Sequence, residues 1–147
     1  KTNVASVLDM IPPMIAQKCR DKSITIKKTY DKNMPEAAID SKKLEGALLN
    51  IVLNSIDAME KGGKLTLEAG YNAEKKGVNI KIMDNGHGIA PEHMSQIFMP
   101  FFTTKENSLG LGLFFAKQIV RAHKGEIDIV SEPEKGTMAT IFLPMAN

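Results

Sequence analysis

Val78-Asn79-Ile80-Lys81-Ile82-Met83-Asp84-Asn85-Gly86-His87-Gly88-Ile89 is the stretch whose reading decides the fold. Its first six residues alternate apolar and polar with period two, the mark of a strand with one buried face. Asp84 stands where that strand opens into a loop, with two glycines close behind it. An ionised carboxylate accepts hydrogen bonds and donates none, so it suits an exocyclic amine such as the adenine amino group. Glycines let backbone approach a flat ligand with no side chain between. A tight turn carrying a solvated aspartate uses the same residues, so the ligand reading needs support from elsewhere in the chain.

Upstream, residues 40–59 read as a helix. Leu44, Ala47, Leu48, Ile51, Val52, Ser55, Ala58 and Met59 recur at i, i+3, i+4 spacing, Asp40 or Ser41 is placed to cap the start, and Gly62-Gly63 stops it. Asn50, Asn54 and Asp57 form a narrow polar stripe beside the apolar face. For Asn50 and Asp57 plain solvated surface remains a competing reading. Asn54 lies at the edge of the buried face, where its amide oxygen suits a hard cation held between phosphates.

Downstream, Phe101-Phe102-Thr103-Thr104-Lys105 runs through Glu106-Asn107-Ser108 into Leu109-Gly110-Leu111-Gly112-Leu113 and a long apolar helix. Backbone amides at that helix start suit phosphate, and Lys105 adds a positive charge. Close packing of a helix start explains the same glycines, and a solvated loop explains Lys105. Thr137, after Glu134-Lys135-Gly136, stands either near a base or simply at a strand start.

Taken together, these segments resemble the ATP-binding catalytic domains of sensor histidine protein kinases. That family belongs to the wider fold group that includes gyrase, ninety-kilodalton heat-shock chaperones and mismatch-repair ATPases. The resemblance rests on the run from Asn50 through Asn54 to Met59, on Asp84 to Ile89, on Ile97-Phe98-Met99-Pro100-Phe101-Phe102-Thr103-Thr104-Lys105, on Gly110-Leu111-Gly112-Leu113 and on Gly136-Thr137. Each is weak singly; five in this order are specific. The pattern looks most like the branch of nitrogen-regulation sensor kinases.

The resemblance implies ATP and Mg2+ as ligands. Asp84 would bind the adenine amino group, with Gly86, Gly88 and Ile89 shaping that end and Thr137 beside the base. Asn54 would hold the magnesium ion and Asn50 would lie close to the same phosphate or metal shell. Residues 91–108 would form a mobile lid, with Phe98, Phe101 and Phe102 packing it or facing a partner helix. Thr104 and Lys105 would reach the phosphates, Lys105 near the γ-phosphate. Gly110, Leu111, Gly112 and Leu113 would hinge the lid and offer backbone amides. Asn50 and Lys105 are the candidate catalytic residues.

Two departures from the family pattern stand out. Ser108 and Leu109 replace the usual Gly-Thr before the glycines, and Asp57 stands where many relatives carry lysine, with Lys61 as a candidate substitute. The hydrolysing relatives place a glutamate general base where this chain has Asn50, which has no basic group at neutral pH. Slow hydrolysis follows, whereas transfer to a histidine needs only positioning and charge neutralisation. The phosphoacceptor histidine of this family is followed by an acidic residue on a long helix. His87 precedes Gly88, His93 precedes Met94 and His123 precedes Lys124, so none fits. His87 and His93 read as loop and lid surface residues, and His123 as a helix C-terminal cation.

The expectation is therefore one domain over 1–147 that transfers the γ-phosphoryl group of ATP to a histidine on a separate dimerisation domain, with a response regulator downstream. It would be monomeric, cytoplasmic, unable to autophosphorylate alone, and cut from a longer parent that is free to carry a membrane anchor elsewhere. A gyrase-like ATPase and a nucleotide-sensing or docking module are the alternatives.

Composition permits all of this. Nineteen basic against seventeen acidic residues give +2, which supplies no strong reason to invoke nucleic acid or a membrane surface. With 43% hydrophobic residues and few aromatics the core must be chiefly aliphatic and methionine, and a lone Cys19 excludes an internal disulfide. Gly62-Gly63-Lys64 is followed by leucine, so it is no Walker loop, and Phe115 occupies the third glycine position of a dinucleotide fingerprint.

Helices are expected over 4–21 (bent or broken at Pro12-Pro13), 40–59 and 109–123, with a short lid helix over 91–97. Strands are expected over 23–30, 37–39, 64–71, 78–83, 126–131 and 138–143, with a hairpin link at 72–77. Three main helices against one mixed sheet make a two-layer α/β sandwich, the Bergerat-type ATP-binding fold.

Overall fold

The computed structural model describes residues 1–104 and 109–147. Helix α1 spans Val4–Asp21, opened by the Asn3 side chain accepting from the Ser6 N–H. Val4, Val7, Leu8, Ile11, Ile15 and Cys19 form its buried stripe. Pro12 and Pro13 lie inside this helix and do not break it. They remove the N–H partners of the Leu8 and Asp9 carbonyls, yet Ile11 and Ile15 on either side are fully buried and hold the two halves to one core.

Strand β1 covers Thr25–Tyr30 and begins two residues later than expected. Ser23 has φ 53° and bonds back to the Arg20 carbonyl, so it belongs to the turn. The expected strand at 37–39 is reduced to isolated bridges at Ala37, which pairs with Thr2 on one side and Met145 on the other.

Helix α2, Ser41–Ala58, is capped by Asp40 accepting from the Lys43 N–H. Its end is not made by the glycines that follow. The Lys22 ammonium, from the turn after α1, donates to the carbonyls of Ile56 at 2.9 Å and Met59 at 3.0 Å. A cation on the last carbonyls offsets the negative end of the helix dipole.

Strands β2 (Lys64–Asn72) and β3 (Gly77–Asp84) form a hairpin, helix α3 spans Gly112–Ala122, and β4 (Glu126–Glu132) and β5 (Gly136–Pro144) form a second hairpin. The sheet order is β1-β2-β3-β5-β4, with β1 parallel to β2 and the other pairs antiparallel. The mixed sheet and its single helical layer bear out the two-layer sandwich.

Cross-strand register explains where the core and the site lie. Ile127, Ile141, Ile80 and Ala69 stand side by side on the helix-facing side, as do Ile129, Ala139, Ile82 and Leu67. The next row on that face is Ser131, Thr137, Asp84 and Leu65. The same pleat that buries the aliphatic rows therefore aims Asp84 and Thr137 at the helices.

The expected lid helix over 91–97 is a single 3-10 turn, Pro91–His93. Backbone bonds His93 to Ala90, Gln96 to His93, Met99 to Gln96 and Phe102 to Met99 all close three-residue steps. This is a chain of tight turns, in which side chains recur every three residues.

Candidate functional site

A cleft of about 510 Å³ opens between the second half of α2, the loop after β3, the turns following Pro91, the start of α3 and the ends of β4 and β5. Its volume suits a small-molecule ligand. Ile51, Ile82, Ile129 and Ala139 supply an apolar floor, and Asn54, Asp57, Asp84 and Thr137 are polar groups in its wall.

Asp84 is the central polar group. Its Oδ1 accepts from the Gly86 N–H at 2.9 Å. Burial pushes its carboxyl above the usual value of 3.8; the Gly86 N–H, the Ser55 hydroxyl, the Thr137 N–H and the charge of His87 oppose that push without cancelling it. Burial leaves this carboxylate costly to ionise despite its donors, and a ligand N–H offered to it lowers that cost.

The loop behind Asp84 is fixed from several sides. Asn85 Oδ1 accepts from the Lys64 N–H at 2.8 Å, the His87 N–H donates to the Ala58 carbonyl at 3.0 Å, and the Glu134 N–H donates to the His87 carbonyl at 2.7 Å. A Cβ at Gly86 would stand 2.4 Å from the Ala58 carbonyl oxygen, so only glycine lets the loop meet the end of α2. Gly88, at φ 75°, approaches the Glu132 carbonyl in the same way. The Ile89 N–H donates to Ser131 Oγ at 2.8 Å, and Ser131 Oγ is also 3.1 Å from the Gly136 carbonyl and 2.9 Å from Thr137 Oγ1.

Of the residues singled out in the sequence, Asn54, Asp84, Gly88, Ile89, Thr104, Gly110, Gly112, Leu113 and Thr137 line the cleft. Gly86 supports it from behind through Ala58. Asn50 is set aside from the wall: its amide packs about where a Gly112 side chain would begin, 3.6 Å from that point. Leu111 occupies the N-cap position of α3 and makes no side-chain cap bond. Lys105 and Ser108 lie outside the described residues.

Lys61 is exposed in the turn beyond α2, which ends at Ala58, and is not part of the wall. The chain is already extended at Met59, so Lys61 does not continue the stripe of Asn50, Asn54 and Asp57 for which it was a candidate substitute.

Sequence reading missed His87 and His93 as wall residues. The His87 Nδ1–H donates to the Gly88 carbonyl at 2.6 Å. The His93 ring meets Phe102 edge-on at 5.3 Å, and the Lys117 ammonium lies 4.6 Å from the Phe98 ring centre. His123 Nδ1–H donates to the Ile119 carbonyl at the end of α3, which fits its reading as a helix C-terminal group. Among the described residues no cluster of three histidine, cysteine, aspartate or glutamate side chains is arranged to hold a metal. A magnesium ion shared with phosphates needs few protein ligands and prefers oxygen, so the Asn54 amide and the Asp57 carboxylate in the wall fit that chemistry.

The carboxylate at a strand end, the glycine-built loop and the helix start facing it define the class: the chain belongs to the family of histidine kinase-, DNA gyrase B- and HSP90-like ATPases, whose model matches residues 39–147. Within it the chain corresponds to the catalytic, ATP-binding domain of sensor histidine kinases.

It is 35% identical over 132 residues to the sensor histidine kinase ZraS of Escherichia coli K12, covering 90% of this chain and 28% of ZraS. It is 31% identical over 153 aligned positions to the sensory histidine kinase/phosphatase NtrB of Vibrio alginolyticus, covering 97% of this chain and 43% of NtrB. The match to ZraS means that the nitrogen-regulation branch is not singled out. The nucleotide-free catalytic domain of the histidine kinase ThkA superposes with a TM-score of 0.86 at 25% identity, covering 97% of this chain and 93% of ThkA's domain. The chain thus spans less than half the length of these curated relatives.

Proposed function

We propose that the cleft binds Mg-ATP and that the domain passes the γ-phosphoryl group to a histidine on a separate, helical dimerisation domain, with a response regulator receiving it afterwards. The observation that carries this reading is Asp84, a half-buried acceptor at the base of an apolar slot with Gly86 and Gly88 clearing the approach. Adenine would lie between the apolar floor and the Ile89 loop, its amino group donating to Asp84 and its edge beside Thr137. The phosphates would extend towards Thr104, Gly110 and the α3 start, where the first amides of an 11-residue helix point outwards. Asn54 would hold magnesium, which neutralises phosphate charge when bound. Lys105 would add charge near the γ-phosphate.

Asn50 argues for transfer over hydrolysis. An amide cannot take a proton from water, and this one packs against Gly112. A neutral imidazole nitrogen on the acceptor needs no such base. Phe101 and Leu109 are 73% and 75% exposed beside the cleft, an apolar surface suited to the acceptor helix.

Calorimetric titration with ATP in excess magnesium should give one saturable site. Adding the protein's own histidine-bearing helical domain in trans should give phosphohistidine, with free-ATP turnover far below that of a dedicated ATPase. Absence of binding at millimolar ATP would overturn the nucleotide reading; binding without phosphohistidine would leave a sensing or docking module.

A further inference from the structure

Ser131 is not in the wall of the cleft, yet its hydroxyl joins three parts of it: the Ile89 amide at 2.8 Å, the Gly136 carbonyl at 3.1 Å and Thr137 Oγ1 at 2.9 Å. A serine hydroxyl has one proton and two lone pairs. The Ile89 N–H takes one lone pair. The Gly136 carbonyl can only accept, so it takes the proton. The second lone pair then accepts from Thr137, whose own proton is thereby committed. This is the one assignment that satisfies all three partners.

Thr137 and Ser131 are cross-strand neighbours, and Thr137 is in turn opposite Asp84. With its proton directed at Ser131, Thr137 Oγ1 can offer the cleft only lone pairs. Asp84 beside it also only accepts. A wall made of acceptors favours a base that presents an amino group and disfavours one that presents a carbonyl at the same place, because two acceptors face each other unpaired.

We infer that Ser131 is a positioning residue that sets base selectivity by fixing the proton of Thr137, an inference that rests on the nucleotide reading of the cleft. Without the Ser131 hydroxyl, Thr137 is free to rotate and donate, so a carbonyl-bearing base gains a partner. Ser131→Ala should therefore weaken ATP while weakening ITP less, which narrows the preference for ATP over ITP by about fivefold. Ser131→Thr keeps an oxygen at the same branch point and should retain the wild-type preference.

The experiment is titration of ATP and ITP against wild type, Ser131→Ala, Ser131→Thr, Thr137→Val and the Ser131→Ala/Thr137→Val pair, with magnesium throughout. In the Thr137→Val background, Ser131→Ala should leave the ATP-to-ITP ratio unchanged, because the group it acts through is gone. Equal weakening of both nucleotides by Ser131→Ala, or the same change of ratio in both backgrounds, would overturn the inference and leave Ser131 as a structural tie. Wild type binding neither nucleotide would instead remove the nucleotide reading itself, and this inference with it.

Discussion

Asp84 is held by donors on several sides yet remains costly to ionise. A carboxyl raised in the folded state favours the protonated form, so its contribution to the empty domain's stability is full below 3.8 and is lost as pH rises through the folded value. Nucleotide binding runs the other way, since an amine donates to the ionised form. ATP affinity should therefore fall as the pH drops through that raised value, at higher pH than for an ordinary aspartate. Asp84→Asn turns one acceptor oxygen into an amine that faces N–H donors. It should cost ATP affinity about tenfold or more and remove the part of the acid limb that Asp84 contributes; titrations of both proteins across the acid range check this. Asp84 and Gly86 were legible in the sequence because their roles follow from a local pattern, a strand ending in a carboxylate and a turn. Ser131 was not, because its partners on the Ile89 loop and at Thr137 meet it only once the register of β4 against β5 is known.

The elements that differ from expectation do so where local preference meets tertiary packing. Pro12 and Pro13 read as a bend or a break, and the buried stripe on both sides keeps α1 continuous. Removing one proline should relieve part of the cost. Pro13→Ala, at an exposed position, should stabilise the domain by about 1 kcal/mol and raise Tm by about 3 °C in thermal melts. The end of α2 falls where expected, but the group that caps it is not the glycine pair: it is Lys22, from a turn 34 residues earlier in the chain than the Ile56 carbonyl it meets. Lys22→Met should lower Tm by about 4 °C, through the loss of two charge-assisted bonds worth about 1–2 kcal/mol together. Because the Ala58 carbonyl lies between those two bonds and holds the His87 amide, this variant should also weaken ATP binding, by less than Asp84→Asn does.

At the scale of the whole molecule the sequence was read well because its aliphatic periodicities switch cleanly between 2 and 3.6. The layer arrangement follows from those periods, and the order of the motifs follows from the order of the strands. The parallel pairing of β1 with β2 and the strand order β1-β2-β3-β5-β4 are long-range choices that no local window encodes. Among the described residues no helix is long and apolar enough to cross a membrane.

The bridges at Ala37 carry a consequence of a different kind. The Thr2 N–H donates to the Ala37 carbonyl, the Ala37 N–H to Thr2, the Ala38 N–H to Pro144 and the Ala146 N–H to Glu36. Both ends of the chain are thus clipped to one short segment, as neighbours. Joining Asn147 to Lys1 through about six glycine and serine residues and opening the β2–β3 hairpin between Glu74 and Lys75 should give a circular permutant that folds and binds ATP, with Tm within about 10 °C of the original order. Its failure to fold, measured by circular dichroism, would show that the fold depends on an unbroken β2–β3 connection. A fold whose two ends sit side by side can be inserted into a surface loop of an unrelated host with only a short linker at each end.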